Sequence, residues 1–113
     1  MSLYATGVVR LLTDPQLKTF DSGNMVANFA GGINEGKDKN GAYIQNVIDC
    51  ELWGNSAQIV CDKLRKGDCV QLSGAIRMQE WNDKDGNKRR KHVFSAQRFE
   101  FLPRQQQIEE VPF

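Results

Sequence analysis

The sequence predicts an all-β fold: a small barrel of five strands with one short helix between the third and fourth. Three observations predict it. Apolar and polar residues alternate along several segments, a single stretch after Asn55 switches to helical spacing, and turn signals such as Asp14-Pro15, Ser22-Gly23 and Asp85-Gly86 divide the segments. A chain of 113 residues makes one domain, long enough to bury a core without disulfides or metal.

Leu3 to Thr13 is β-branched and apolar, and Asp14-Pro15 ends that strand. Thr19-Phe20 and Met25 to Ala30 flank the turn Asp21-Ser22-Gly23-Asn24, and Gly31-Gly32 marks a bend where a barrel strand curls. From Ile33 a polar stretch, Asn34 to Gly41, reads as a loop too rich in Gly and charge for a core strand. Ile44 to Trp53 reads as a half-buried strand, with Ile44, Ile48, Cys50 and Leu52 on one side, interrupted by Asn46, and Val47, Asp49, Glu51 and Trp53 on the other. Asn55-Ser56 supplies a helix N-cap, Ala57, Val60, Cys61 and Leu64 fall at helical spacing, and Lys66-Gly67 closes the helix. In the next strand Val70, Leu72, Gly74, Ile76 and Met78 share one face, opposite Gln71, Ser73, Ala75, Arg77, Gln79 and Trp81. A hairpin loop, Asn82 to Asn87, leads into the last strand, Lys88 to Leu102. Five antiparallel strands in this order, with that helix, are the order of the OB-fold.

The formal net charge is only +1, yet seven basic residues lie between Arg77 and Arg98 against three acidic ones, and Lys88-Arg89-Arg90-Lys91 is unbroken. Taken alone, such a run is a solvated hairpin end. Three cysteines, without close pairs, read as small buried hydrophobes in a reducing compartment rather than as a disulfide scaffold. Apolar runs are too short for a membrane span, and Met1-Ser2-Leu3-Tyr4 enters a strand pattern with no secretory leader, so a cytoplasmic protein with no membrane partner is expected. An enzyme is not expected. His92 is the sole histidine and builds no catalytic or metal-ligand spacing, and no helix follows Gly31-Gly32 to make a phosphate loop. No cofactor and no metal are expected.

The informative constellation is Trp81 with Arg77 and Gln79 on one strand face, followed by Lys84 and the run Lys88, Arg89, Arg90, Lys91. The opposite face fills the core, so the indole points outward among cations. A flat ring beside guanidinium groups suits an unstacked base and its phosphate, and each such stack contributes about 1–3 kcal/mol whatever the base. Trp53 has the same placement on its own strand. The alternatives are an aromatic lid or subunit contact for Trp81 and a strand-end aromatic covering the helix for Trp53. Lys37 and Lys39 add charge in the preceding polar stretch.

The residues Leu12 to Lys18, Ser22-Gly23 with Val26 to Phe29, Leu52-Trp53-Gly54, Ala57, Leu64 to Asp68, Val70 to Gly74 and Trp81 to Gly86 resemble, in order and spacing, bacterial-type single-stranded DNA-binding proteins. The ending Ile108-Glu109-Glu110-Val111-Pro112-Phe113 is similar to the acidic tip of that family. The resemblance implies an OB-fold over residues 1–102, an acidic tip at the end of residues 103–113, and sequence-independent binding of nucleoid single-stranded DNA in replication, recombination and repair; the linker, Pro103 to Gln107, is much shorter than the segment common in the family. It further implies a homo-oligomer, a tetramer ahead of a dimer, and a tip that recruits replication and repair enzymes. It places Trp53 and Trp81 at stacking positions and Arg65, Lys66, Arg77 and Arg89 at basic ones. Where the family often carries tryptophan, this chain holds Lys37 and Val47; Asp49 stands at a basic place of the family and Glu51 adds a carboxylate beside it, which is expected to weaken binding or move the strand toward Trp81 and the basic hairpin. An adaptor module with weak DNA binding, acting through protein contacts, is the alternative reading. An RNA-binding module of the cold-shock kind lacks its closely spaced aromatic strand motifs here.

Overall fold

Strand alternation becomes six strands and one helix in the computed structural model, which describes residues 2–102. The elements are β1 (Leu3–Leu11), β2 (Gln16–Thr19), β3 (Met25–Lys37), β4 (Tyr43–Trp53), α1 (Asn55–Lys63), β5 (Cys69–Asn82) and β6 (Lys88–Phe101). The sheet runs β1-β5-β6-β4-β3-β2, and an additional β1–β3 pairing closes β1, β5, β6, β4 and β3 into a ring. This is the OB-fold expected from the sequence, with β2 as a short extra strand hairpinned onto β3.

One expectation is corrected by this closure. The strands are not all antiparallel, because β4 and β6 run parallel, Asp49 opposite Val93 through Leu52 opposite Ala96. A ring with an odd number of strands cannot alternate direction all the way round, so one pair must be parallel. The glycine pair does mark the bend. β1 meets β3 at Arg10↔Gly32 and Leu11↔Gly31. A Cβ on Gly31 would stand 2.5 Å from Val9 Cγ1 and 2.7 Å from Cys50 Sγ, so only bare backbone lets the strands cross there. At Gly74 a Cβ would run into the backbone of Ser95 and Ala96. There the β5–β6 register steps from Ser73↔Arg98 to Gly74↔Ala96, leaving Gln97 as the bulged residue.

The core is the set that the alternation selects: Val9, Leu11, Phe29, Cys50, Leu52, Val70, Leu72 and Phe94, joined by Ala57, Val60 and Leu64 from the helical segment. Burying each large member contributes about 1.5–3 kcal/mol. Cys50 and Cys69 are buried and Cys61 is half-buried, and none of the three is in a disulfide. Burial, reinforced by the Asp49 carboxylate, pushes the Cys50 thiol up to about 12.

Other local expectations also shift. Asn55-Ser56 is not the cap: Gly54, at φ 84, precedes the helix, with its N–H donating to Met25 O (2.9 Å). Its left-handed φ explains why glycine stands there. The helix ends at Lys63, three residues before Lys66, and Leu64 turns extended. The segment from Ile33 is strand as far as Lys37, with the turn beginning at Asp38. Ile44 and Met78, both expected on the apolar side of their strands, are 40% and 49% exposed. The departures at residues 33–37, Ile44 and Met78 have one cause. β3–β4 and β5–β6 run on past the barrel as two-stranded arms, where no core demands apolar alternation and every residue of Met78–Asn82 and Lys88–His92 except the hairpin pairing itself meets solvent.

Candidate nucleic-acid interface

One face of β4 and the inner part of the β5–β6 arm bring the predicted aromatics and cations together. Along β4 the face carries Asp49, Glu51 and Trp53, and along β5 Arg77, Gln79 and Trp81, with Lys91 opposite Gln79 and Arg89 opposite Trp81 on β6. Gln16 and Asn28 extend it across β2 and β3, since Gln16 lies opposite Asn28 and Asn28 opposite Glu51.

Both indoles are open to solvent, Trp53 at 43% and Trp81 at 45%. Trp53 is not isolated. Phe20 stacks on it with centroids 5.7 Å apart and planes 14° off parallel, and Lys18 Nζ sits 5.0 Å from the Phe20 centroid. That arrangement leaves a layered aromatic platform edged by an ammonium. Phe20 is a functional candidate that sequence reasoning missed. It flanks a turn, and only the β2–β3–β4 register carries it to Trp53. Tyr43, with Lys37 Nζ 5.1 Å from its ring centroid, is a second missed aromatic, on the β3–β4 arm.

Lys91 links the barrel to the arm. Its Nζ donates to Asp49 Oδ2 at 2.6 Å and lies 5.8 Å from the Trp81 centroid. The two β4 carboxylates, expected to repel a phosphate chain, therefore each face a cation: Asp49 faces Lys91, and Glu51 faces Arg77 Nη1 at 3.7 Å. Glu51, read from alternation as an exposed carboxylate, is only 6% exposed. The correction follows from its position on β4, enclosed between Asn28 on β3 and Ser95 on β6.

The remaining cations divide into two groups. Lys88 pairs with Glu80 (3.9 Å), and Arg89 Nε with Asp83 Oδ2 (2.9 Å). The backbone N–H of Asn87, and then Arg89, hold the Asp83 carboxyl below the usual carboxylate range. That carboxylate also organises the hairpin turn, accepting from the N–H groups of Asp85 and Asn87 through Oδ1. Lys39, Lys84 and Arg90 are exposed and make no ion pair among the described residues.

Arg65 and Lys66 lie in the turn after the helix rather than beside the indoles. The Arg65 Nη1 donates to the carbonyls of Cys61 (2.6 Å) and Leu64 (2.8 Å), satisfying the helix C-terminus. Lys66 donates its backbone N–H to Asp14 Oδ1 (2.7 Å) and leaves its ammonium exposed. The tip residues Ile108, Glu109, Glu110, Val111, Pro112 and Phe113 lie outside the described residues.

Comparison with known proteins agrees with this geometry. The Single-strand binding protein family matches residues 6–102. "Single-stranded DNA-binding protein 1" of Synechocystis is 31% identical over 90 residues, 79% of this chain and 74% of that protein. The "Single-stranded DNA-binding protein" of Helicobacter hepaticus is 30% identical over 106 residues, 91% of this chain and 62% of that protein. The protein of that name from Deinococcus radiodurans is 36% identical over 94 residues, but this chain spans only 31% of its length. A closed five-strand barrel, open indoles on a cation-edged face, and a family match over nearly all the described residues lead to one assignment: the chain belongs to the Single-strand binding protein family.

Proposed function

We propose that the protein binds single-stranded DNA, tolerantly of sequence, by drawing the backbone to the two arms and stacking bases on Trp81 and on the Trp53–Phe20 platform. The supporting observation is that both indoles are bare on the one face that the arm cations border. A duplex, whose bases are already stacked, cannot present them to these rings. Capture proceeds by counterion release, each neutralised phosphate of a single strand contributing about −0.7 to the slope of log K against log salt. Lys39, Lys84 and Arg90, exposed arm cations that make no ion pair among the described residues, then give a slope of at least about −2, steepened by Lys37, which also makes none, and wherever Lys88, Arg89 or Lys91 trades its carboxylate for a phosphate. Titrating the protein with oligothymidine and with a duplex of the same length tests the reading. Selective binding of the single strand supports it, and equal affinity for the two overturns it.

A homo-oligomer, tetramer ahead of dimer, belongs to the same proposal. Residues 3–9 of β1 pair with β5 on one edge, and β3 meets β1 only at Arg10 and Leu11, so the other edge of that stretch has no strand partner among the described residues. Leu3 and Tyr4 are exposed along it. An uncovered strand edge is a template for pairing, and a second copy is the proposed cover. Several subunits on one strand would multiply few stacks per subunit into tight binding. The segment 103–113 is proposed as linker and tip, with Ile108–Phe113 recruiting replication and repair enzymes. Deleting Ile108–Phe113 should abolish pulldown of such a partner while leaving the barrel folded. The proposal is of a binding protein and not an enzyme, working in the cytoplasm on the nucleoid.

A further inference from the structure

Between the two indoles lies a cleft of ≈ 340 Å³ whose lining is not what a phosphate needs. Gln16, Asn28, Asp49, Glu51, Gln79 and Lys91 line it. Glu51 is two residues from Trp53 along β4, and Gln79 two residues from Trp81 along β5, so stacked bases would be delivered to it from either end. The volume falls at the lower end of the roughly 300–1,000 Å³ typical of small-ligand clefts. The one ammonium in the lining is matched by Asp49, and Asp14 and Glu51 add two further carboxylates, so the cleft offers no attraction to an anion.

The second observation is the state of Glu51. Its side chain is more than nine-tenths buried, yet among the described residues it accepts no hydrogen bond, and its ion-pair partner Arg77 Nη1 stands off at 3.7 Å. The carboxylate oxygens are not fully sealed, so a donor entering the cleft can reach an acceptor that no protein hydrogen bond occupies. The side-chain amides of Gln16, Asn28 and Gln79 likewise make no hydrogen bond among the described residues, which leaves adaptable donors and acceptors around that carboxylate. What fits is a planar ligand that is neutral, stacks on an indole and presents N–H donors at its edge.

We propose that this cleft is a base-edge pocket in which Glu51 favours amino-bearing bases, selecting cytosine over thymine among the pyrimidines. The N4 amino group of cytosine donates to a carboxylate, whereas thymine places the O4 carbonyl at the corresponding position and is repelled. Sequence tolerance from stacking remains, with a base preference laid over it. The inference rests on the single-strand reading above, and its test separates the two.

The full chain is titrated at pH 8 and constant salt with oligo(dC), oligo(dT), oligo(dU) and an oligomer of N4,N4-dimethyl-deoxycytidine, all of one length. Oligo(dU) removes the methyl group of thymine from the comparison, and N4 dimethylation removes the donors without any change to the protein. The expected result is oligo(dC) binding at least about fivefold tighter than oligo(dT) and oligo(dU), the low end for one base-edge contact. The dimethylated oligomer should lose that advantage, and Glu51→Gln should bring the oligo(dC):oligo(dT) ratio close to one. Equal affinity for oligo(dC) and oligo(dT), or an advantage that survives dimethylation, overturns the pocket and leaves single-strand binding standing. Binding to none of the four overturns both.

Discussion

Asp49→Asn should make this protein bind single-stranded DNA more tightly. The Asp49–Lys91 pair is short, 2.6 Å, but both side chains are about half exposed (48% and 44%), so its contribution to stability is about 0.2–1 kcal/mol and the variant folds. Its effect on binding is larger in kind. Asp49 now neutralises an ammonium that also lies on Trp81 and that a phosphate would otherwise claim. Removing the carboxylate frees that ammonium and takes a negative charge off the face. One added phosphate contact steepens the salt slope by about 0.7, so the variant should lose roughly threefold more affinity than the parent between 50 and 200 mM salt. Fluorescence anisotropy of labelled oligothymidine across that range reads both quantities. A variant with the parent's slope and affinity would refute the idea that Asp49 acts as an internal competitor for Lys91.

Three further outcomes follow from the same geometry. Trp81→Ala should weaken single-strand binding by about 1–3 kcal/mol per engaged base, while Phe20→Ala should weaken it less, since Trp53 keeps its exposed face. Both variants should melt near the parent temperature by circular dichroism, because Trp81 and Phe20 lie outside the core. Gly74→Ala should destabilise the barrel by at least about 1–3 kcal/mol, because the clash is with Ser95 and Ala96 backbone, and chemical denaturation would show it. Asp83 has a depressed folded-state pKa, so its contribution to hairpin order is present above the ordinary carboxylate value of about 3.9 and is lost as pH falls through the lower folded value; amide exchange at Asp85 and Asn87 monitors it.

Much of the fold was legible in the chain, because period-two alternation reports a single buried face and glycine reports a crowded crossing. The core positions of β1, β4 and β5 and the bend at Gly31-Gly32 came through for that reason. Alternation fails where a strand leaves the core, which is why residues 33–37 read as loop and Met78 as core. Strand direction is not encoded in periodicity at all, so the parallel β4–β6 pair emerged only with ring closure. At the site, two tryptophans among cations were visible as out-of-place apolar residues. Phe20 was not, since its stacking partner is distant in sequence, and Glu51 misled because a polar residue at an outward position reads as exposed until a neighbouring strand covers it.

In the proposed binding mode unpaired bases stack on Trp53 and Trp81 while the arms gather phosphates. Intrinsic tryptophan fluorescence during titration with oligothymidine, at 50 and 200 mM salt, tests it most directly. Saturable quenching by the single strand is expected, none by a matched duplex, and a Kd that weakens about twentyfold or more between the two salts, as a slope of about −2 requires. Saturated binding that leaves the indole emission unmoved, or an affinity indifferent to salt, would contradict it.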